Sequence, residues 1–553
     1  MDSSPFATHE VLNQPPPLED YSLYATDRAL VEGCAREGAG DFDKELHAFG
    51  EAIGRAEAFA WARQANRFTP ELRTHDRYGH RIDEVEYHPA WHEIMRLAMK
   101  HRVHNLPWRK AHHHDDGSIV ARAALHSMLS QVEAGVCCPL TMTFAAWPLL
   151  REDAALAAEW GHAYRGNHYA PALSLGPKKH SVLIGMAMTE KQGGSDVRAN
   201  TTRAEPDGQG AYVLTGHKWF CSAPMSDAFF VLAQLEGMGL SCFFVPRVLA
   251  DGTRNPFYIQ RLKDKLGNRS NASSEIELRG TWARLVGEPG RGVRTILEMV
   301  QHTRLDCVSG SAGLMRQAVA QAVHHAQHRD AFGRRLAEQP LMQNVLADLA
   351  IESEAATALM LRLARAFEAE PGSPERAFAR IATAAAKYWV CKRTPALVAE
   401  AMECLGGSGY VEESNLPRLY REAPVNAIWE GSGNVICLDV LRAIAKEPEC
   451  VPALLDEVWL AKGGDRRLDA WAEKLEAELR DPADAEARAR RTVERIALAV
   501  QGSLLVRHAP SEVSEAFCGA RLGVEQGGVA GLQFGAVASG AQCGKVVERA
   551  GAA

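Results

Sequence analysis

Ser181 to Glu190 reads SVLIGMAMTE, and the chain changes period there. Upstream, apolar residues recur every three or four positions. Phe42, Leu46, Phe49, Ile53, Ala56 and Ala60 make one such face, the spacing of an amphipathic helix. His88–Val103 and Ile119–Glu133 repeat the pattern. Downstream come short apolar runs: YVLTGHKWFCSA from Tyr212, AFFVLAQL from Ala228, LSCFFVPRV from Leu240, FYIQRLKDKLG from Phe257 and SEIELRGTWARLVG from Ser274. Gly, Asp and Pro divide them, which predicts a small antiparallel barrel or sandwich over 181–285. Helical spacing returns at Arg294, with segments near 291–328, 340–369, 374–404 and 434–446. Four helices of this length fit a bundle. The fold class is α+β: helices, then strands, then a bundle.

The flanks differ in composition. Residues 1–40 are rich in proline, acid and glycine and read as an arm. The N-terminal helical domain is expected over 41–180, the β-domain over 181–285 and the bundle over 286–446. Residues 447–522 are Ala- and charge-rich and predict a helical extension. Residues 523–553 turn Gly/Ala/Val-rich without periodicity, which predicts a disordered tail. The stretch CCPLTMTFAAWPLL from Cys137 reads as core or as pocket lining.

At 46% apolar and 24% charged residues, the 553-residue chain has the composition of a soluble protein. No apolar run reaches the roughly 20 residues that span a bilayer. The N-terminus lacks a basic start followed by an apolar block, so no secretion signal is expected. Twelve scattered cysteines, with Cys137–Cys138 the close pair, read as buried thiols of a reducing, cytoplasmic protein. His112, His113 and His114 sit in a polar loop with no zinc-like partner cluster, and no metal is expected.

Arg421 to Asp439, REAPVNAIWEGSGNVICLD, carries the sharpest chemistry. Gly431, Ser432 and Gly433 read as a loop opening a helix, whose free N–H groups suit an anion. Glu430 beside Trp429 is either a helix N-terminal acid in a tight turn or a carboxylate desolvated into a general base. Four further stretches are individually weak. They are MAMTEKQGGSD (Met186–Asp196), GHKWFCSA (Gly216–Ala223), Arg329–Gly333, and Gly406–Gly409.

The order of these motifs resembles the acyl-CoA dehydrogenase superfamily from about residue 40 to 446, with ECLGGSGY at Glu403–Tyr410 and RLYREAPVNAIWEGSGN from Arg418 as further matching pieces. The resemblance implies an N-terminal helical domain, a middle antiparallel β-domain, a four-helix bundle, bound FAD, and a homotetramer built as a dimer of dimers. One branch is more similar: the bacterial adaptive-response flavoproteins induced by DNA alkylation. The Lys191–Gly194 loop, RLKDKLGNRSNASSEIE (Arg261–Glu277), RVHNLPW (Arg102–Trp108) and the extension past 446 carry that likeness. It implies that Met186, Met188, Thr189, Gly194 and Ser195 contact the flavin and its pyrophosphate. Phe220, Cys221 and Ser222 would flank the ring, with the Ser222 hydroxyl near its reactive nitrogen. Arg329, Phe332, Gly406 and Gly407 would reach the FAD of a neighbouring subunit. Ile428, Trp429, Gly431, Ser432, Gly433 and Asn434 would close over the cofactor. Glu430 matches the family's catalytic base; the alternative helix position used by some branches is Thr303 here, which cannot serve. Glu403, Glu422 and Lys191 depart from the usual pattern and put ordinary CoA-ester turnover in doubt.

The same resemblance implies duplex DNA binding without sequence specificity, in the adaptive response to alkylation, beside weak retained acyl-CoA dehydrogenase activity with Glu430 as base. Residues 446–553 carry 14 Lys and Arg against 17 Asp and Glu. Arg488, Arg490, Arg491 and Arg495 nonetheless cluster within two turns, and Arg466 and Arg467 form a second pair. They read either as a phosphate-binding face or as a solvated helix laced with ion pairs. The alternative function is an ordinary short- or branched-chain acyl-CoA dehydrogenase with a structural extension.

Overall fold

The computed structural model describes residues 6–110, 114–523, 534, 535, 537 and 540–552. Its first helix, α1 (Arg28–Arg36), starts where the Asp27 carboxylate accepts the Leu30 N–H at 3.1 Å. Leu30 and Cys34 bury one face, so the second half of the expected arm is folded into the core. Local composition hides this, because a nine-residue helix needs only one apolar stripe. Helices α2 (Asp43–Ile53), α3 (Ala56–Arg67) and α4 (Pro89–Lys100) follow, interrupted by a hairpin of β1 (Glu71–His75) and β2 (Arg81–Glu86). Helices α5 (Ser118–Val132), α6 (Ala134–Glu152) and α7 (Ala154–Tyr164) complete this region. CCPLTMTFAAWPLL lies in α6 and is buried core.

Helix α6 contains Pro148, which has no N–H to give the Phe144 carbonyl. That carbonyl instead accepts Trp108 Nε1–H at 3.0 Å. A buried carbonyl needs such a partner, and Trp108 of the RVHNLPW run supplies it. A buried Arg122–Asp306 ion pair, with Thr141 donating to Asp306 at 2.6 Å, ties α5 and α6 to the bundle.

Seven strands form the middle sheet: β3 (Ile184–Ala187), β4 (Arg203–Pro206), β5 (Tyr212–Ser222), β6 (Ala228–Leu235), β7 (Gly239–Pro246), β8 (Phe257–Leu262) and β9 (Ser273–Val286). The ring β6–β4–β5–β9–β7 closes back on β6. The pairing is antiparallel as expected, except that β3 and β4 both run parallel to β6 along one of its edges. Phe229 and Val231 fill the barrel core while Phe230 and Leu232 pack on the helices. A strand buried on both faces reads as an unbroken apolar run.

The bundle is α8 (Gly292–His328), α9 (Pro340–Ala366), α10 (Pro374–Cys404) and, after the short α11 (Gly407–Tyr410) and α12 (Leu416–Glu422), α13 (Gly433–Lys446). A two-residue hairpin, β10 (Asp330–Ala331) with β11 (Arg334–Arg335), joins α8 to α9. The extension holds α14 (Cys450–Trp459), α15 (Arg466–Arg480), α16 (Ala485–His508) and α17 (Ser511–Arg521). Part of the predicted disorder is also corrected. Helix α18 (Gly540–Ala550) buries Cys543, Val546 and Val547, and its Arg549 pairs with Glu354 at 3.0 Å. Residues 524–533 of that tail lie outside the described residues, as do His112 and His113.

Candidate active site

Glu430 lies between the seven-residue turn after α12, Ala423 to Trp429, and the start of α13. Its φ is +58°, in the left-handed region that a non-glycine residue rarely occupies. Three consecutive carbonyls explain how the turn is held. Lys387 Nζ, buried on α10, donates to Trp429 O at 2.7 Å and also to Gly431 O. Arg304 Nε on α8 donates to Glu430 O at 3.1 Å. Two buried cations thus fix the backbone on both sides of the carboxylate, which offsets a strain of about 1–3 kcal/mol. Arg304 is itself anchored on Asp439 of α13 at 2.7 Å, and Asp439 on Arg380 at 3.0 Å.

The Glu430 carboxylate accepts Thr303 Oγ1–H at 2.8 Å. Burial pushes its pKa above the ordinary carboxylate value, opposed by the Thr303 hydrogen bond and by the charges of Lys387 and Arg304. Trp429 Nε1 donates to Asn426 Oδ1 at 2.9 Å, fixing the indole beside it. This is a desolvated acceptor held in one place, as a general base requires.

The facing wall comes from the barrel. Lys218 pairs with Ile276 and Cys221 with Ser274, so β5 carries an extra residue between them. Such a bulge turns two adjacent side chains to the same side. Lys218 and Cys221 point into the barrel, while Trp219 and Phe220 point out, with Phe220 50% exposed. Cys221 therefore cannot flank a ring with its side chain, and that expectation is corrected. Phe220 and Ser222 lie on the outer face. Lys263 Nζ sits 3.3 Å from the Trp219 ring centroid. On α6, Cys138 lies near enough to Ser222, Lys265 and Glu430 for each to act on its thiol, so it stands between the two walls.

Below Phe220, the loop after β3 is pinned by buried Glu190. Its carboxylate accepts from Lys218 at 2.8 Å, Thr201 N at 2.7 Å and Thr202 N at 3.1 Å. Burial raises this carboxyl, but Lys218 outweighs it and holds it well below the usual range. Thr189 Oγ1 lies against Gly194, where a Cβ would come within 2.6 Å. Met188 is part-buried and Ser195 exposed at this rim. Met186 is buried against the helical core and offers little surface.

Other predicted residues lie elsewhere on the chain. Arg329 donates to Asn13 O, and Phe332 in the β10–β11 turn is 98% exposed. Gly406 has φ +61°, and a Cβ at Gly406 or Gly407 would meet nothing within 4 Å. The arginine cluster is largely engaged. Arg495, Arg488 and Arg491 converge on Glu478, Arg488 also pairs with Asp481 at 2.9 Å, and Arg467 pairs with Asp465. Arg490 turns the other way and donates to Asn434 Oδ1 at 2.8 Å. Arg466, Arg490 and Arg491 are exposed.

Arg304, Lys387 and Cys138 belong to the site and carry no motif of their own, while Thr303 stands at the alternative base position and Lys265 lies within the Arg261–Glu277 run. The cleft fits a flat aromatic group with a pyrophosphate tail, as FAD has. Phe220 and Ile428 offer apolar surface, Ile428 being 65% exposed. Ser432 at the N-cap of α13 makes no side-chain cap bond.

Comparison with known proteins gives three family matches: residues 13–171 to the adaptive response protein AidB N-terminal domain, 185–281 to the acyl-CoA dehydrogenase middle domain, and 290–445 to the acyl-CoA dehydrogenase C-terminal domain. AidB of Escherichia coli (strain K12) is 48% identical over 92% of this chain and 94% of its own. The structure of Caenorhabditis elegans ACDH-11 in complex with C11-CoA superposes with a TM-score of 0.84 at 26% identity, covering 93% of this chain and 94% of that one. The apo form of Bd2924 superposes with a TM-score of 0.81 at 28% identity, covering 91% and 100%.

Proposed function

Because the chain belongs to the acyl-CoA dehydrogenase superfamily, in the branch of AidB, and binds FAD as that family does, we propose that it oxidises an acyl-CoA thioester with Glu430 as base. The observation that carries this reading is the Glu430 carboxylate, raised by burial and aimed by Thr303, opposite the Phe220–Ser222 wall. The carboxylate takes the α-proton of the thioester. When bound, FAD supplies the acceptor for the β-hydrogen as hydride. Lys387 and Arg304 keep the carboxylate at a fixed depth, and Asn426 holds the Trp429 indole beside it. The C11-CoA complex of ACDH-11 supports an acyl-CoA as the substrate class.

We assign Met188, Thr189, Gly194, Ser195, Phe220 and Ser222 to the cofactor of the same chain. Arg329, Phe332, Gly406 and Gly407 go to that of a neighbour in a homotetramer. Ile428, Trp429, Gly431, Ser432, Gly433 and Asn434 form the closing turn. The bare Phe332 and the 86%-exposed Leu341 support such an interface, and sedimentation velocity tests it. Twelve unpaired cysteines suit a reducing compartment such as the cytoplasm. The test of the chemistry is anaerobic titration of the flavin-loaded protein with short and branched acyl-CoAs. Bleaching near one equivalent in the wild type, lost in Glu430→Gln, is the expected result. No bleaching with any ester would remove the dehydrogenase reading.

A second reading joins this one: the extension contacts duplex DNA in the alkylation response. The match to the adaptive-response domain and the three exposed arginines favour it. Such contact is phosphate-borne and salt-dependent, with a slope change of about 0.9 per lost phosphate contact. The Arg466→Ala/Arg490→Ala/Arg491→Ala variant should show a shallower salt dependence of duplex affinity. An unchanged slope would exclude this face.

A further inference from the structure

The run Arg261–Glu277 places one lysine where the reaction above gives it no task. Lys265 lies in the connection between β8 and β9. Its amine donates to Asn271 O at 2.5 Å and to Ser273 Oγ at 3.1 Å. Both partners are neutral. Ser273 is the register partner of Ser222 across β5 and β9, with their hydroxyl oxygens 3.4 Å apart. Burial pushes the Lys265 amine down to about 8, against Cys138 and Glu422, which raise it, while Arg269 lowers it further.

An ammonium only donates, and a hydroxyl has one proton and two lone pairs. Lys265 fills one lone pair of Ser273 Oγ and turns that hydroxyl's proton away from the amine, where Ser222 Oγ is the neighbour within reach. When Ser273 donates to Ser222, the Ser222 proton points away from Ser273. A buried cation whose hydrogen-bond partners are both neutral is costly. That cost falls when negative charge arrives at the far end of the chain.

We propose that Lys265 is a positioning residue for the flavin: through Ser273 it turns the Ser222 hydroxyl outward as a donor to the ring's reactive nitrogen and sets a positive charge behind it. The inference rests on the assignment of Ser222 to the ring made above. It predicts that reduced flavin is held more tightly, relative to oxidised flavin, than it would be without the amine.

The test is the flavin midpoint potential of the full-length, flavin-loaded protein, measured for wild type, Lys265→Met, Ser273→Ala and Ser222→Ala, with flavin content and Tm alongside. Lys265→Met and Ser273→Ala should each lower the reduced-to-oxidised affinity ratio about tenfold, a fall of about 30 mV for a two-electron couple, with flavin content retained. Potentials unchanged in both, while Ser222→Ala shifts, would make Lys265 a loop anchor only and leave the Ser222 assignment standing. An unmoved potential in Ser222→Ala would overturn that assignment and this proposal together. Should Lys265→Met not fold, Ser273→Ala breaks the same link by loss of one oxygen and decides the matter.

Discussion

Thr303→Val isolates the hydrogen bond that opposes burial in the ionisation of Glu430. The Thr303 hydroxyl has one proton and two acceptors in reach: Val300 O at 3.0 Å and Glu430 Oε2 at 2.8 Å. The ionised carboxylate takes that proton; when Glu430 is protonated, the threonine turns back to the helix carbonyl. Valine keeps the shape and removes the bond. A hydrogen bond to a charged group contributes about 1.5–3 kcal/mol, which converts to about 1–2 pH units. Burial already holds Glu430 above the ordinary carboxylate value, so the substitution raises it further. In the proposed role as base, Glu430 works when ionised. The rate of flavin reduction by acyl-CoA therefore rises with pH through this pKa, and the variant's curve should lie about 1–2 units to the alkaline side. The plateau at high pH should be shared within a few-fold. Anaerobic stopped-flow reduction across the alkaline and acid limbs measures both quantities. Superimposed profiles, or a lower plateau with an unmoved midpoint, would refute the assignment of Glu430's ionisation to this contact.

Lys387→Met should strip the donor from two buried carbonyls, at about 1–3 kcal/mol each, and release the turn that holds Glu430. Denaturant unfolding would show the loss, and flavin reduction should fall by more than flavin content does. Glu422→Gln addresses a different buried acid. Glu422 accepts Asn268 N–H at 2.7 Å, and burial, then the charge of Glu133, raises it to about 7, against Arg418. Its folded pKa is above the unfolded value, so the folded state binds more protons between the two. The wild type therefore loses stability relative to Glu422→Gln as pH rises from about 4.5 to about 7, by up to about 3 kcal/mol, and the gap is constant above. Parallel Tm–pH curves for the two proteins would contradict this.

The succession of helices, strands and bundle is legible because period is a local property: SVLIGMAMTE announces strands wherever it sits. Direction of pairing is not local, and the parallel placement of β3 and β4 along β6 leaves no trace in alternation. The β1–β2 hairpin hides because ELRTH and RIDEVE carry few apolar residues. Cys221 misleads for a related reason, since one extra residue in β5 inverts the face of every side chain beyond it. In the candidate site, Glu430 announces itself through Trp429 and the glycines beside it. Its supports do not: Thr303 and Lys387 meet this turn across separations of 127 and 44 residues, and a lone threonine or lysine within a helix carries no mark of that duty.

Helix α8 runs unbroken for 37 residues. Thr303 and Arg304 sit in its first third, and Arg329 caps its far end. The roughly 26 helical steps between them span about 39 Å. In the proposed tetramer this rod would act as a ruler, one end aiming the chain's own proposed base and the other reaching toward the neighbour's cofactor. A one-residue deletion near Gly310 would rotate everything beyond it by about 100° and shorten the reach by about 1.5 Å. Each subunit would then keep its own carboxylate in place yet mis-seat the flavin next door, so damage of this kind would be felt in trans.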